Sequence, residues 1–265
     1  MTDDQKFLFD LGGYLVIKGA LTAAELARCN EAVDHHMDKL TVANPEQVLS
    51  EDSTALAGPA KQHYLGPSLE WERPWCEPFR DILVNPHVAS CLNVILQKGY
   101  RLDGGGATMV VADAGAEGLV LHGGGAEAPT SMGYFCKNGI FYCGMTVVEV
   151  MLAEEGPGDG GLVLILGSHK ANFASPRKMK LCDQYQDRIV EVHAEAGDAV
   201  IFLEATIHGA LPWKGKHQRR TLIYRFNPGF ANYHGLPYEL ETPDYIADMT
   251  EDQQAVMKWP GQRLA

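Results

Sequence analysis

What this chain lacks narrows it first. Its 265 residues contain no stretch of roughly 18 consecutive apolar residues, so nothing in it reads as a bilayer-spanning helix. The opening "MTDDQKFLFD" is acidic and carries neither the basic region nor the apolar run of a secretion signal. Basic residues are scarce: 22 Lys and Arg against 34 Asp and Glu give a formal charge of −12. A phosphate-binding surface needs clustered cations, and the one dense cluster is the short set Lys214, Lys216, Arg219 and Arg220. Nucleic acid and membrane are therefore not expected partners. Six cysteines (Cys29, Cys76, Cys91, Cys136, Cys143, Cys182) are scattered without a CxxC pair. That argues against a structural zinc site and points to reduced core thiols in a cytoplasmic protein.

What is present is 46% hydrophobic residues, enough for one sizeable core, and a single domain over 1–265 is expected. "GGYLVIKGAL" has strand character, and Thr22 with Glu25 forms a capping box that opens a helix. Residues 40–80 read as irregular, and "PFRDILVNPHVASCLNVILQKG" as one or two short helices. From about residue 100 the character changes. "ATMVVADA", "EGLVLH", "GIFYCGMTVVEVML", "GGLVLILGSH", "RIVEVHAEAGDAVIFLEATIHGAL" and "RRTLIYRFNPG" are strand-like stretches broken by glycine turns. No amphipathic helices of ordinary length separate them, which favours an antiparallel sandwich or barrel with helices outside. A helical support over about 1–100, a β core over about 100–235 and a terminal helix over about 248–259, capped by Thr250 and Gln253 and ended by Pro260-Gly261, complete the expectation.

One stretch, "LHGGGAE" at 121–127, poses a choice. It is either the oxyanion turn of an esterase or a metal-binding histidine, His122, that lacks a carboxylate two residues on. An esterase also needs a G-x-S-x-G elbow between strand and helix. Ser168 in "LGSHKA" and Ser68 in "GPSLE" lack the flanking glycines, so that reading fails. A mononuclear iron site of the facial-triad type needs a second histidine from a distant strand and open coordination positions. If an oxoacid drives it, it also needs a planar cation to fork the far carboxylate. His208 lies at the end of one strand-like stretch, and Arg219 and Arg220 begin the next. Neighbours on a strand face opposite ways, so only one of the two arginines can enter the interior.

These residues resemble the phytanoyl-CoA dioxygenase-like family of Fe(II)/2-oxoglutarate-dependent oxygenases, over roughly 8–235. "PGDGGLVLILGSHKANF" (157–173) looks like the family's turn, strand and Gly-Ser-His-Lys loop. "AGDAVIFLEATIHGALPWKGKHQRRTLIYRF" (196–226) is similar to the strand bearing the distal histidine, followed eleven residues later by an arginine. "GGYLVIKGALTAAEL" resembles the family's opening. The resemblance implies a double-stranded β-helix, jelly-roll or cupin-like barrel. It implies His122 and His208 as iron ligands and Arg219, or Arg220 beside it, as the group holding 2-oxoglutarate. Two positions depart from the pattern: His-x-Asp reads His122-Gly123-Gly124, and a common Ser is Ala210.

Glu149 stands where relatives commonly have an aromatic residue, and alternation places Val147, Glu149 and Met151 on one, interior, face. It is the first candidate for a substitute ligand or catalytic carboxylate, with Glu127 and Asp113 behind it. Three functions stay open. The first is hydroxylation-type oxidation of a small metabolite with Fe(II) and 2-oxoglutarate. The second is halogenation, with chloride in the position vacated at Gly124. The third is a barrel that binds a metal or small ligand without chemistry. His169 reads as a structural or rim residue. His35, His36, His63, His87, His193, His217 and His234 read as surface or packing residues, and Glu154-Glu155 as a solvated loop.

Overall fold

The strand-like stretches after residue 100 all become strands, several of them split where a glycine or turn interrupts. The computed structural model describes residues 1–129, 132–233 and 243–260; His234 and Gly261 lie outside them. In chain order the strands are β1 (Tyr14–Ile17), β2 (Thr41–Val42), β3 (His63–Leu65), β4 (Arg101–Ala112), β5 (Leu119–His122), β6 (Tyr134–Lys137) and β7 (Ile140–Cys143). They continue as β8 (Thr146–Met151), β9 (Gly161–Ile165), β10 (Ile189–Glu191), β11 (Ala199–Leu203), β12 (Ile207–Leu211) and β13 (Arg219–Asn227). The stretch "GIFYCGMTVVEVML" thus breaks at Gly144, and the long 188–211 stretch holds three strands rather than one.

These strands form a seven-stranded sheet, β1-β11-β8-β13-β4-β3-β2, and a four-stranded sheet, β10-β9-β12-β5, with the β6–β7 hairpin apart. Their ladders are antiparallel, and the chain passes between the sheets from β4 to β5, β8 to β9, β10 to β11, β11 to β12 and β12 to β13. This exchange is the jelly-roll, double-stranded β-helix pattern. Among the described residues no ladder joins the two sheets.

Side-chain alternation explains how one sheet serves two cores. On β13, Leu222, Tyr224 and Phe226 face the helices, while Arg219, Ile223 and Arg225 face the space between the sheets. On β8, Val148 and Val150 pack outward, whereas Val147 and Met151 meet Leu162, Leu164, Val200 and Phe202 between the sheets. Both faces are covered, so β8 and β11 read as apolar runs with two exceptions, Thr146 at the start of β8 and Glu149 within it.

The outer face is closed by α1 (Asp3–Gly12), α2 (Ala23–His35), α3 (Glu77–Ile82) and α4 (Pro86–Ile95). Helices α5 (Arg177–Lys180), α6 (Asp244–Ala247) and α7 (Glu251–Met257) follow. Thr22–Glu25 and Thr250–Gln253 form the expected capping boxes, each cap side chain stabilising its helix by about 1 kcal/mol. α1 was not expected from its sequence, yet Thr2 and Gln5 make a third box and Phe9 anchors the helix in the core. α3 and α4 separate because the Asn85 side chain accepts from the His87 and Val88 amides with Pro86 at the first helical position. Among the described residues no helix is long and apolar enough to cross a membrane.

Candidate functional site

His122 closes β5 and His208 lies directly opposite it on β12, so two residues 86 apart in sequence become a cross-strand pair. Their ring centroids are 4.1 Å apart. Each Nδ1 faces the carbonyl oxygen two residues earlier, Val120 at 3.2 Å and Thr206 at 2.7 Å. A carbonyl only accepts, so in the neutral ring each Nδ1 carries the proton and each Nε2 presents a bare lone pair. Burial first, then the neighbouring His122, pushes His208 down to about 4, which keeps it neutral.

The third member of this group is a carboxylate that the sequence reading did not single out. Glu204 sits in the turn between β11 and β12. Its Oε1 lies 3.7 Å from His208 Nε2 and 3.9 Å from His122 Nε2. These separations exceed hydrogen bonds, yet the ligating atoms of the three residues lie within 4.8 Å of one another. Glu204 Oε2 is buried without a hydrogen bond, and its nearest cation is Arg225, whose Nε is 3.9 Å away. Two lone pairs and a carboxylate that converge without bonding each other fit a divalent transition metal. The two carbonyls are the outer partners that fix ring tautomer and orientation in such sites.

The glycines after His122 have a packing reason. A Cβ on Gly123 would stand 2.7 Å from the carbonyl oxygens of both Glu204 and Thr206, and the Gly124 amide donates to Ala205 O at 3.0 Å. Loop backbone thus lies directly on the β11–β12 turn, which holds Glu204 beside His122. Gly124 has φ +113°, and a Cβ there would meet Glu127 Oε2 at 3.2 Å. The position is therefore not an aspartate site with its side chain trimmed, because the backbone follows a path that an L side chain resists.

Across the cavity, Arg219 faces inward and Arg220 outward. Arg220 reaches Asp34 (2.7 Å), Asn30 (3.1 Å) and Gln218 (2.9 Å), tying β13 to α2. Arg219 Nε donates to Glu155 at 2.6 Å and its Nη2 to Glu149 at 3.0 Å. Glu155 corrects the expectation of a solvated loop: Glu154 is exposed, but Glu155 is only 1% exposed. A backbone bridge to Ala194 turns it inward, where it also accepts from the Leu162 amide and the Thr221 hydroxyl, each at 3.0 Å. Glu149 is interior, as alternation required, and belongs to Arg219 rather than to the histidine group. Burial, with Glu155 adding to it, pushes its carboxyl up to about 7 against the pull of Arg219. Glu127 pairs instead with Lys180 and Ser175, and Asp113 accepts from Gln218; neither joins the histidines.

The histidine group and Arg219 line one cavity of about 460 Å³ between the sheets. Arg225, on the same face of β13 as Arg219, also lines it, as does Ala210. One signal for the missed residues was in the sequence: Arg225 follows Arg219 at even spacing on one strand, which puts both on the same face.

Among curated proteins, no sequence match reaches significance. Among solved structures, one similar chain is HygX from Streptomyces hygroscopicus with nickel, 2-oxoglutarate and hygromycin B bound. It is 21% identical, with TM-score 0.69 over 88% of this chain and 89% of that one. The α-ketoglutarate-dependent epimerase SnoN from nogalamycin biosynthesis is 14% identical, with TM-score 0.60 over 91% of each chain. AviO1 from Streptomyces viridochromogenes is 15% identical, with TM-score 0.60 over 91% of this chain and 97% of that one. At these identities the likeness establishes the shared fold. The sequence itself goes further: it matches the phytanoyl-CoA dioxygenase (PhyH) family over residues 9–221, and the chain belongs to that family.

Proposed function

We propose that the chain is a non-haem iron enzyme that uses 2-oxoglutarate to oxidise a small organic molecule, with iron held by His122, His208 and Glu204. The observation that carries this reading is the convergence of two bare Nε2 atoms and the Glu204 carboxylate in one cavity. Bound there, iron supplies the oxygen-activating redox chemistry that side chains lack. HygX, solved with 2-oxoglutarate bound, and the α-ketoglutarate-dependent epimerase SnoN support the choice of cosubstrate.

The residues divide the remaining work. The Val120 and Thr206 carbonyls hold the imidazoles in register, and Arg225 offsets the charge of Glu204. The far carboxylate of 2-oxoglutarate needs a cation, and Arg219 is the family's candidate. Two carboxylates already hold it, but they are held unequally. Glu155 is anchored by an amide and a hydroxyl besides Arg219, whereas among the described residues Glu149 is hydrogen-bonded to the arginine alone and is raised toward neutrality. Glu149 is thus the group that yields to an incoming carboxylate. Its role is to set how readily the cosubstrate reaches Arg219, not to replace a ligand at iron. Glu204 also supplies the carboxylate missing at Gly124, which removes the argument for chloride in that position. The cavity volume suits a metabolite and not a macromolecule.

An anaerobic Fe(II) titration with and without 2-oxoglutarate tests the proposal. A visible charge-transfer band that needs both additions, together with oxygen-dependent succinate formation, is expected. Folded protein that binds Fe(II) but gives neither would sink the oxidative reading and leave a metal-binding β-sandwich.

A further inference from the structure

A second set of histidine and carboxylate groups lies outside the cavity, on the helical side of the molecule. α2 ends at His35, and His36 caps it. Sequence spacing gave these histidines no partner, but the fold brings Glu72 to them. His36 is fully buried and stacked on Trp71, with ring centroids 3.8 Å apart and planes at 9°. Its Nδ1 lies 2.8 Å from Ala32 O, so in the neutral ring Nδ1 carries the proton and Nε2 is a bare lone pair. That Nε2 is buried and makes no hydrogen bond; its neighbour is Glu72 Oε2 at 3.7 Å. A buried acceptor left in this state is unfavourable unless something binds it.

We propose that His35, His36 and Glu72 form a second, peripheral site for a borderline divalent transition metal such as Zn²⁺. Two ligands of a tetrahedral zinc, each about 2.0–2.2 Å from the metal, stand roughly 3.4 Å apart. The His36–Glu72 separation of 3.7 Å is close to that and too long for an imidazolium–carboxylate hydrogen bond. His35 completes the group: the ligating atoms of the three residues lie within 4.8 Å of one another. Its ring stacks on Trp75 at 4.2 Å and stands edge-on to His36 at 4.9 Å. Two indoles therefore fix both imidazoles before any ion arrives, and the exposed His35 and Glu72 can close on it.

Two nitrogens and one oxygen select zinc, nickel or copper over calcium and magnesium, which prefer all-oxygen sets. The C-terminal end of α2 carries the partial negative charge of its unpaired carbonyls, which favours a cation there. A metal bound at this point would tie the end of α2 to the segment leading into α3, a link that stabilises the folded chain in proportion to occupancy.

The test is a Zn²⁺ titration of the untagged, metal-free full chain against a chromophoric chelator, repeated on Glu72→Gln and His35→Asn. Both positions are exposed, so these variants leave the core and the cavity intact. Each variant is expected to bind one equivalent fewer than the unaltered chain, whatever the cavity binds. In parallel, Ni²⁺ should quench tryptophan emission through Trp71 and Trp75, and the quenching should persist in His122→Ala but fall sharply in Glu72→Gln. The proposal is overturned if the unaltered chain and both variants bind the same number of equivalents, or if quenching is unchanged in both.

Discussion

The two ends of the inter-sheet cavity carry similar charges and leave opposite things undone. At the histidine end, two Nε2 atoms and Glu204 Oε1 converge without a hydrogen bond among them, and Glu204 Oε2 is buried without one. At the arginine end, Arg219 is held by two carboxylates at 2.6 and 3.0 Å, and Glu155 has two further donors. The first arrangement is costly unless an ion completes it; the second is complete as it stands. The difference matches the two roles proposed above: the unsatisfied end takes the metal, whereas the satisfied end gives something up before it takes the cosubstrate.

The sharpest way to break this contrast is to remove the carboxylate from the open end. Glu204→Ala should abolish the Fe(II)/2-oxoglutarate band and turnover. Its loss of metal affinity should exceed the roughly 10–100-fold typical of deleting an outer hydrogen-bond partner. Fe(II) titration of the variant checks this, and unchanged affinity would show that Glu204 is not a ligand. The next largest effect belongs to the closed end and is one of stability. Arg219→Ala leaves two buried carboxylates facing each other, and breaking such a pair costs about 3–5 kcal/mol. Urea unfolding reads it directly, and a loss under about 1 kcal/mol would mean the cluster is not held as described.

Glu149→Gln sharpens the contrast instead of breaking it. The buried carboxyl is raised from 4.5 to about 7, so the folded state holds a proton that the unfolded state has released over that window. Linkage then makes stability fully present below about 4.5 and progressively lost as pH rises through about 7, by at most roughly 3 kcal/mol. Glu149→Gln should lack that slope in denaturation curves taken from pH 4.5 to 7. It should also bind 2-oxoglutarate more tightly than the parent at pH 8, because a neutral amide competes poorly for Arg219. Weaker binding in the variant would instead make Glu149 a support for the arginine.

Much of this was legible beforehand, for reasons that lie in particular residues. His122, His208 and the pair Arg219 and Arg220 could be named from the family resemblance and its eleven-residue spacing; alternation added only that one arginine of the pair faces inward, and that one is Arg219. Val147, Glu149 and Met151 could be placed on one interior face by alternation. Glu204 and Glu155 could not, because each sits in a turn whose direction is set by distant backbone contacts. Glu204 is fixed by the glycine loop lying on its turn, and Glu155 by its bridge to Ala194. Helix α1 was readable from Thr2 and Gln5, with Asp3 and Asp4 in its first turn as a further start signal.

The smallest expected effect concerns Gly124 and asks whether the open end could have been built in the family's usual way. If Gly124 were merely a vacated aspartate site, Gly124→Asp would restore an ordinary triad and rescue Glu204→Ala. The backbone argues otherwise. With φ at +113°, an L residue is strained by about 1–3 kcal/mol, and its Cβ would also crowd Glu127 Oε2 at 3.2 Å and Ile207 Cγ1 at 3.4 Å. Glu127 is held there by Lys180 and Ser175, so yielding would break contacts that now order the 124–128 turn. Gly124→Asp in the Glu204→Ala background should therefore lose about 1–3 kcal/mol of stability and recover no iron band. Recovery of the band would mean that the loop can relax to the aspartate-bearing path, and that Glu204 and the glycine loop are alternatives rather than one coupled arrangement.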